Sequence, residues 1–303
     1  MGERHGTFFK GKGSNMRLSD AKTAKKIMLE KGFHTNKKYG QNFLIDEKVL
    51  NDIKDAADIN NDDFVVEIGP GIGTLSSVIL ENAGFGLLIE IDKKLIPILN
   101  ETLLGFNNYE ILNCDVMKTD LEKEIKDRYK GKIIKFVANL PYYITTPILM
   151  KILESNIEYE SITVMVQKEV AERIEAVPGS ADYGALSLAV QFYTEPEIIE
   201  IVPRDRFLPA PKVDSAVVNL KRKKQDLPAG VNKEELFKII RFSFIQRRKS
   251  LYNSLTNNNI SDKESIKHAL FKLGFDENVR GEKLGLNDFI ELTKLLSENQ
   301  EKE

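Results

Sequence analysis

The stretch F-V-V-E-I-G-P-G-I-G-T-L-S-S-V-I, residues 64–79, constrains the fold more than any other part of the chain. F-V-V-E-I reads as a buried strand and T-L-S-S-V-I-L-E-N-A (74–83) as a helix. Between them Gly69, Gly71 and Gly73 let the backbone turn tightly and let a ligand approach closely. The same alternation then repeats. G-L-L-I-E-I (86–91) reads as a strand, followed by a helix near 93–103, then strands at Y-E-I-L-N (109–113) and K-I-I-K-F-V-A (132–138). Thr145 or Thr146 with Pro147 starts a helix over roughly 146–155, because proline is tolerated in a first turn. S-I-T-V-M-V-Q (161–167) is a fifth strand. The pattern predicts an α/β, Rossmann-like fold: a parallel sheet with helices on both faces.

After Pro178 the pattern changes. P-E-I-I-E-I-V (196–202) and V-D-S-A-V-V-N-L (213–220) read as two strands with no helix between them, hence as antiparallel neighbours. L-K-R-K-K-Q-D-L-P-A-G (220–230) reads as a linker, and from 233 onwards helical periodicity dominates, broken at Gly274, Gly281 and Gly285. The expected organisation is a flexible basic tail at 1–16, an α/β domain at 17–225 and a small helical domain at 226–303.

A chain of 303 residues with 42% apolar content can fill a large core and a smaller one. It contains no apolar run of membrane-spanning length. The first residues lack a secretory signal's apolar segment, and with Cys114 the single cysteine, a cytoplasmic protein is expected. Three histidines and one cysteine make no zinc cluster, so no metal is expected. The net charge of −2 conceals sorting. Residues 1–40 hold ten Lys/Arg against three Asp/Glu, and residues 203–250 hold thirteen against five. Such runs can be solvated faces, but two of them, with Arg247, Arg248 and Lys249 consecutive, point to a nucleic-acid partner.

The glycine loop has two readings. A dinucleotide fingerprint G-x-G-x-x-G fails at its last position, where Thr74 stands. Glu67, two residues before Gly69, would oppose a pyrophosphate and attract a cation. S-adenosyl-L-methionine carries a sulfonium and an ammonium and no phosphate. Glu90, ending the second strand, is placed to accept from ribose hydroxyls, which both cofactors contain. Asp115 can accept from an adenine amino group or cap the segment 116–119.

The fourth strand ends in A-N-L-P-Y-Y (138–143). An adenine exocyclic amine is a poor nucleophile because its lone pair is delocalised. The Asn139 side-chain oxygen and the Leu140 carbonyl, accepting from its two N–H groups, would free that lone pair. Pro141 fixes the turn, and Tyr142 offers a stacking face contributing roughly 1–3 kcal/mol per base. A base inside a duplex must be flipped out or already unpaired to reach such a pocket. Phe207, in R-F-L-P-A-P-K-V-D-S, is expected either to close the other face of the base or to serve as a core residue beside a Pro-rich loop.

K-K-Y-G-Q-N-F-L-I-D (37–46), V-E-I-G-P-G-I-G-T-L (66–75), I-E-I-D (89–92), A-N-L-P-Y-Y-I-T-T-P (138–147), F-L-P-A-P-K-V-D-S (207–215) and Q-R-R-K-S-L (246–251) occur in this order. Together they resemble the small-subunit ribosomal RNA adenine dimethyltransferases, the KsgA family, over about residues 20–295. The resemblance implies a class I methyltransferase sheet with a C-terminal helical domain. It implies dimethylation of N6 of two adjacent adenosines near the 3′ end of 16S rRNA, on a late assembly intermediate of the small subunit. Carried over by motif, Asn42, Leu44, Gly69, Glu90, Asp115 and Asn139 would contact the cofactor, and Glu67 and Gly71 join them on the reading of the glycine loop above. Asn139, Tyr142 and Phe207 would hold the target base, with the Leu140 carbonyl as second acceptor on the reading of the turn above. From charge, Arg247, Arg248 and Lys249 are expected to meet the RNA, and a monomer is expected. A large-subunit rRNA adenine methyltransferase of the antibiotic-resistance type usually reads N-I-P-Y and is usually shorter after the sheet. A DNA adenine methyltransferase typically has a second proline where Leu140 stands. A non-catalytic assembly factor and an NAD-linked oxidoreductase are the readings from other classes.

Overall fold

The computed structural model describes residues 8–11, 14–33, 35, 39–129, 131–223 and 227–300. Lys37 and Lys38 of the first quoted motif, and 224–226 of the expected linker, lie outside them. So do 1–7 and 12–13 of the expected tail. The rest of that tail departs from expectation. β1 (Phe8–Gly11) and β2 (Ser14–Arg17) pair antiparallel, Phe8 opposite Arg17 and Gly11 opposite Ser14. Two adjacent phenylalanines favour extended backbone, which the basic composition obscured.

α1 (Ala21–Glu30) and α2 (Glu47–Ala56) flank a two-residue strand, β3 (Phe43–Leu44). The central sheet then follows: β4 (Asp63–Ile68), β5 (Phe85–Glu90), β6 (Tyr109–Asn113), β7 (Ile133–Asn139) and β8 (Tyr159–Gln167). Between these strands lie α3 (Thr74–Asn82), α4 (Ile96–Thr102), α5 (Leu121–Lys126) and α6 (Thr145–Leu153). Beyond β8 come α7 (Lys168–Glu175), α8 (Ala185–Tyr193), β9 (Thr194–Val202), β10 (Phe207–Leu208) and β11 (Ser215–Arg222). The C-terminal helices are α9 (Lys233–Ile245), α10 (Leu251–Asn257), α11 (Lys263–Lys272) and α12 (Leu286–Gln300).

The strand order is β6-β5-β4-β7-β8-β11-β9. β4 through β8 pair parallel, and β11 lies antiparallel to β8. Every residue of β4 is buried, as expected for a strand covered on both faces. The chain runs outward from β4 to β5 and β6, then returns to place β7 on the other side of β4. This reversal is the switch point at which open α/β sheets bind ligands, beyond the carboxyl ends of the strands. Leu50, Ile53, Leu75, Ile79, Val137, Met165 and Val217 form one apolar cluster of this unit. Leu80, Leu88, Leu99 and Leu103 form another.

The chain divides into two compact units: Met1–Ala171 with Glu197–Arg222, and Glu172–Pro196 with Lys223–Glu303. The expected boundary at 225/226 is therefore corrected. Tyr183, Leu188 and Phe192 belong to the same buried cluster as Leu236, Ile240, Leu255, Leu270 and Phe289, so residues 172–196 complete the helical core. Tyr183, wholly buried, also donates its hydroxyl to the Leu284 carbonyl at 3.0 Å. Among the described residues no helix is long and apolar enough to cross a membrane.

Candidate active site

The carboxyl ends of β4, β5 and β7 line a solvent-open cleft of about 750 Å³. The loop after β4 turns through three left-handed glycines, with φ of 75° at Gly69, 62° at Gly71 and 89° at Gly73. Gly71 has a second constraint: a Cβ there would lie 2.8 Å from the Phe43 ring. Gly69 donates its N–H to the Ile89 carbonyl at 2.9 Å, tying the loop to β5.

Glu67, at 1% exposure, lines the cleft, and its Oε2 lacks a hydrogen-bond partner. Burial, with Glu90 adding a like charge, pushes its carboxyl up to about 8. A carboxyl so placed favours its neutral form near pH 7, and a neighbouring cation would favour its ionised form. Glu90, at 4% exposure, is raised to about 7 by burial, partly countered by main-chain donors. Its Oε2 accepts from the Gly71 N–H at 3.2 Å and its Oε1 from the Asp92 N–H at 2.8 Å. A carboxylate has about four acceptor sites, so capacity for hydroxyl donors remains. Asp92 in turn accepts from Gln41 Nε2 at 3.0 Å, holding the N-terminal loop over the acids.

Asn139 ends β7 beside the glycine loop, its carbonyl 4.0 Å from where a Gly69 Cβ would stand. Its Nδ2 donates to the Asn42 carbonyl at 2.9 Å. The amide is thus oriented, and Oδ1 is the end that remains to accept. The Leu140 N–H donates to the Met165 carbonyl at 3.1 Å, which anchors the turn to β8. The Pro141 carbonyl accepts from the Ile144 N–H at 3.1 Å and from the Thr145 hydroxyl at 3.0 Å, starting α6. Tyr142 is half-buried and its hydroxyl meets Ser215 Oγ at 2.6 Å, so the ring is held at its tip.

Asn42, Leu44, Glu67, Gly69, Gly71, Glu90, Asn139, Leu140 and Tyr142 all line this one cleft. Asp115 and Phe207 do not. Asp115 Oδ1 accepts from the Met117 N–H at 2.9 Å, and the Asp115 carbonyl accepts from the Lys118 and Thr119 N–H groups. Its carboxylate closes a turn there, although it is near enough to raise Tyr143 after desolvation has done so. Phe207 is 3% exposed and sits in the core with Leu44, Val49 and Leu75. It pairs with Leu44 across β10 and β3, and that register turns it inward. The expectation that it closes over a base is not met by this position. Arg247 is also not a bare RNA contact. It donates to the Ala181 and Tyr183 carbonyls at 2.8 and 3.0 Å and faces Glu282 at 3.7 Å. Arg248 and Lys249 stand exposed beside it.

Sequence reasoning missed Gln41, Phe43 and Tyr143. Tyr143 is 58% exposed at the cleft and approaches Gly40. The doubled tyrosine after Asn139-Leu140-Pro141 was the available signal.

The mostly parallel β6-β5-β4-β7-β8-β11-β9 sheet, with a glycine loop and two buried acids at its switch point, has the class I methyltransferase fold. Residues 32–298 match the family described as ribosomal RNA adenine dimethylase. The chain belongs to that family. It is 50% identical over 285 residues to the ribosomal RNA small subunit methyltransferase A of Lachnoclostridium phytofermentans, covering 93% of this chain and 98% of that one. Among solved structures, a dimethyladenosine transferase from Plasmodium falciparum is similar with a TM-score of 0.70 at 28% identity, over 82% of this chain and 95% of that one. The 23S rRNA methyltransferase ErmE is similar with a TM-score of 0.64 at 28% identity, over 84% and 99% of the two chains.

Proposed function

We propose that this protein uses S-adenosyl-L-methionine to dimethylate N6 of two adjacent adenosines near the 3′ end of 16S rRNA. It acts as a monomer, in the cytoplasm, on small-subunit assembly intermediates. The observation that carries the reading is the Asn139–Asn42 bond, which leaves the carboxamide oxygen as the acceptor end in a cleft shared with a buried acid whose Oε2 has no partner.

The residues fit the cofactor. Glu67 offers an unsatisfied oxygen to a cationic group, Glu90 has acceptor capacity for ribose hydroxyls, and the Gly69–Gly71 turn admits close approach. Bound there, S-adenosyl-L-methionine supplies an electrophilic methyl group. For the first transfer Asn139 Oδ1 and the Leu140 carbonyl would accept from the two N–H groups of the target amine, and for the second one of them would accept from the single N–H that remains. Each draws the lone pair away from the ring, and the displaced proton passes to water. Tyr142, pinned by Ser215, and the exposed Tyr143 supply aromatic faces for an extruded base. The chain needs no strong general base for this displacement, which depends mainly on position. Asp115 is proposed to reach the cofactor's adenine with the oxygen its turn leaves over. Arg248 and Lys249, on the helical unit, are proposed to meet phosphates.

Tritiated methyl transfer to small subunits lacking the modification, beside large subunits and DNA, tests this reading. Label confined to two adjacent adenosines of 16S rRNA is expected. Label on 23S rRNA alone would favour an activity like that in the name of the ErmE neighbour.

A further inference from the structure

Helix α1 carries a stripe of exposed lysines along one side. At 100° per residue, Thr23, Ala24 and Ile27 share one side and are buried. Ala24 and Ile27 pack in a cluster with Ile72 of the glycine loop and with Leu95 and Ile98. Lys22, Lys25, Lys26 and Leu29 fall on the opposite side, all exposed, Leu29 to 76%. Like charges at this spacing repel along a helix face. The first turn holds no acidic residue. Oδ2 of the N-cap Asp20 accepts from the Thr23 N–H and hydroxyl at 3.0 and 3.1 Å, and the carboxylate also attracts Lys22. Lys26 faces Glu30 at 3.9 Å, but both side chains are more than half exposed, and such pairs contribute little.

We propose that Lys22, Lys25 and Lys26, with Leu29, form a docking rail for the phosphate backbone of the RNA that enters the cleft. The proposal deepens the rRNA reading above and rests on it. The rail is close to the chemistry because the buried side of α1 packs on Ile72 of the cofactor loop. A helix is about 10–12 Å across with its side chains, so the rail stands roughly one helix width from that loop. Lys22 lies one turn, about 5–6 Å at Cβ, from Lys25 and from Lys26, which diverge from each other, and such flexible stems suit successive phosphates rather than one bidentate group. Leu29 adds an apolar surface for a ribose or a base face. Lysines so arranged read backbone position, not sequence.

The test compares the unmodified chain with Lys22→Gln/Lys25→Gln/Lys26→Gln and with the matching triple Lys→Arg variant. Binding to unmethylated small subunits is measured across about 50–200 mM salt, beside S-adenosyl-L-methionine affinity and thermal stability. The glutamine variant should lower the slope of log K against log salt by about 2–3 and bind roughly tenfold or more weakly. Its cofactor affinity should not change, and the arginine variant should keep the original slope. An unchanged slope in the glutamine variant overturns the rail. Loss of binding in the arginine variant also overturns it, because charge would not be the cause. A protein partner would show as weakened capture of small-subunit proteins with RNA binding intact, again overturning it. If the unmodified chain labels no rRNA, the function reading fails first. If it labels rRNA normally and the slopes coincide, only the rail fails.

Discussion

The Asn139 side-chain amide donates to the main-chain carbonyl of Asn42 at 2.9 Å, across 97 residues of sequence. The bond fixes which end of the amide faces a ligand, and it joins the N-terminal loop to the end of β7. Asn139→Ala should lower methyl transfer about a hundredfold or more, since positioning supplies most of this catalysis. Cofactor and RNA affinity should stay within several-fold. Single-turnover methylation with separate binding titrations checks the split, and near-normal turnover would refute the assignment.

Glu67 gives a pH signature. Its carboxyl, at about 8 in the folded chain against an ordinary value of 4.5, binds more protons folded than unfolded between those values. Stability of the unliganded protein should therefore fall as pH rises from 4.5 to 8, by on the order of 1 kcal/mol per pH unit from this group. Affinity for the cationic cofactor should move the other way, rising through pH 7–8 and then levelling. Glu67→Gln should weaken binding and flatten that limb. Calorimetry in buffers of different ionisation enthalpy should detect the proton released on binding by the native chain.

Gly71→Ala sets a Cβ 2.8 Å from the Phe43 ring at a φ of 62°. The strain of the left-handed backbone and the clash together should cost about 1–3 kcal/mol and weaken cofactor binding. Adding Phe43→Leu should recover the clash part and leave the backbone part. Denaturant melts of the two single variants and the pair should therefore be non-additive.

The basic triplet should split by role. Arg247→Ala removes bonds to the Ala181 and Tyr183 carbonyls and the Glu282 contact. It should cost about 1–3 kcal/mol of stability. Arg248→Ala/Lys249→Ala should leave the melting temperature within a degree or two and lower the salt slope of RNA binding. A melting temperature for Arg247→Ala equal to the native one would return that residue to the RNA-facing set.

The parallel sheet was legible because its central strands are buried on both faces and read as mostly apolar runs, as in F-V-V-E-I. The start of α6 was legible from Pro147, whose ring permits only a first-turn place. That Glu67 lines the cleft was legible from its place two residues before Gly69. Phe207 was not, because an aromatic beside prolines looks alike in a core and at a site; only its pairing with Leu44 turns it inward. Arg247 was hidden for a similar reason: its acceptors are carbonyls, which have no signature in sequence. Gln41 and Phe43 act through contacts to Asp92 and Gly71, and local pattern does not reveal such distant partners.

The helical unit is assembled from two separate stretches, with the strands β10 and β11 threaded between them. Trimming the chain at residue 225 would strand Tyr183, Leu188 and Phe192 without most of the partners that cover them. A stop at that point should yield an aggregating fragment, not a free-standing catalytic half. Any graft of this module between relatives must carry both pieces, so recombination at a single junction is a poor route to exchanging it.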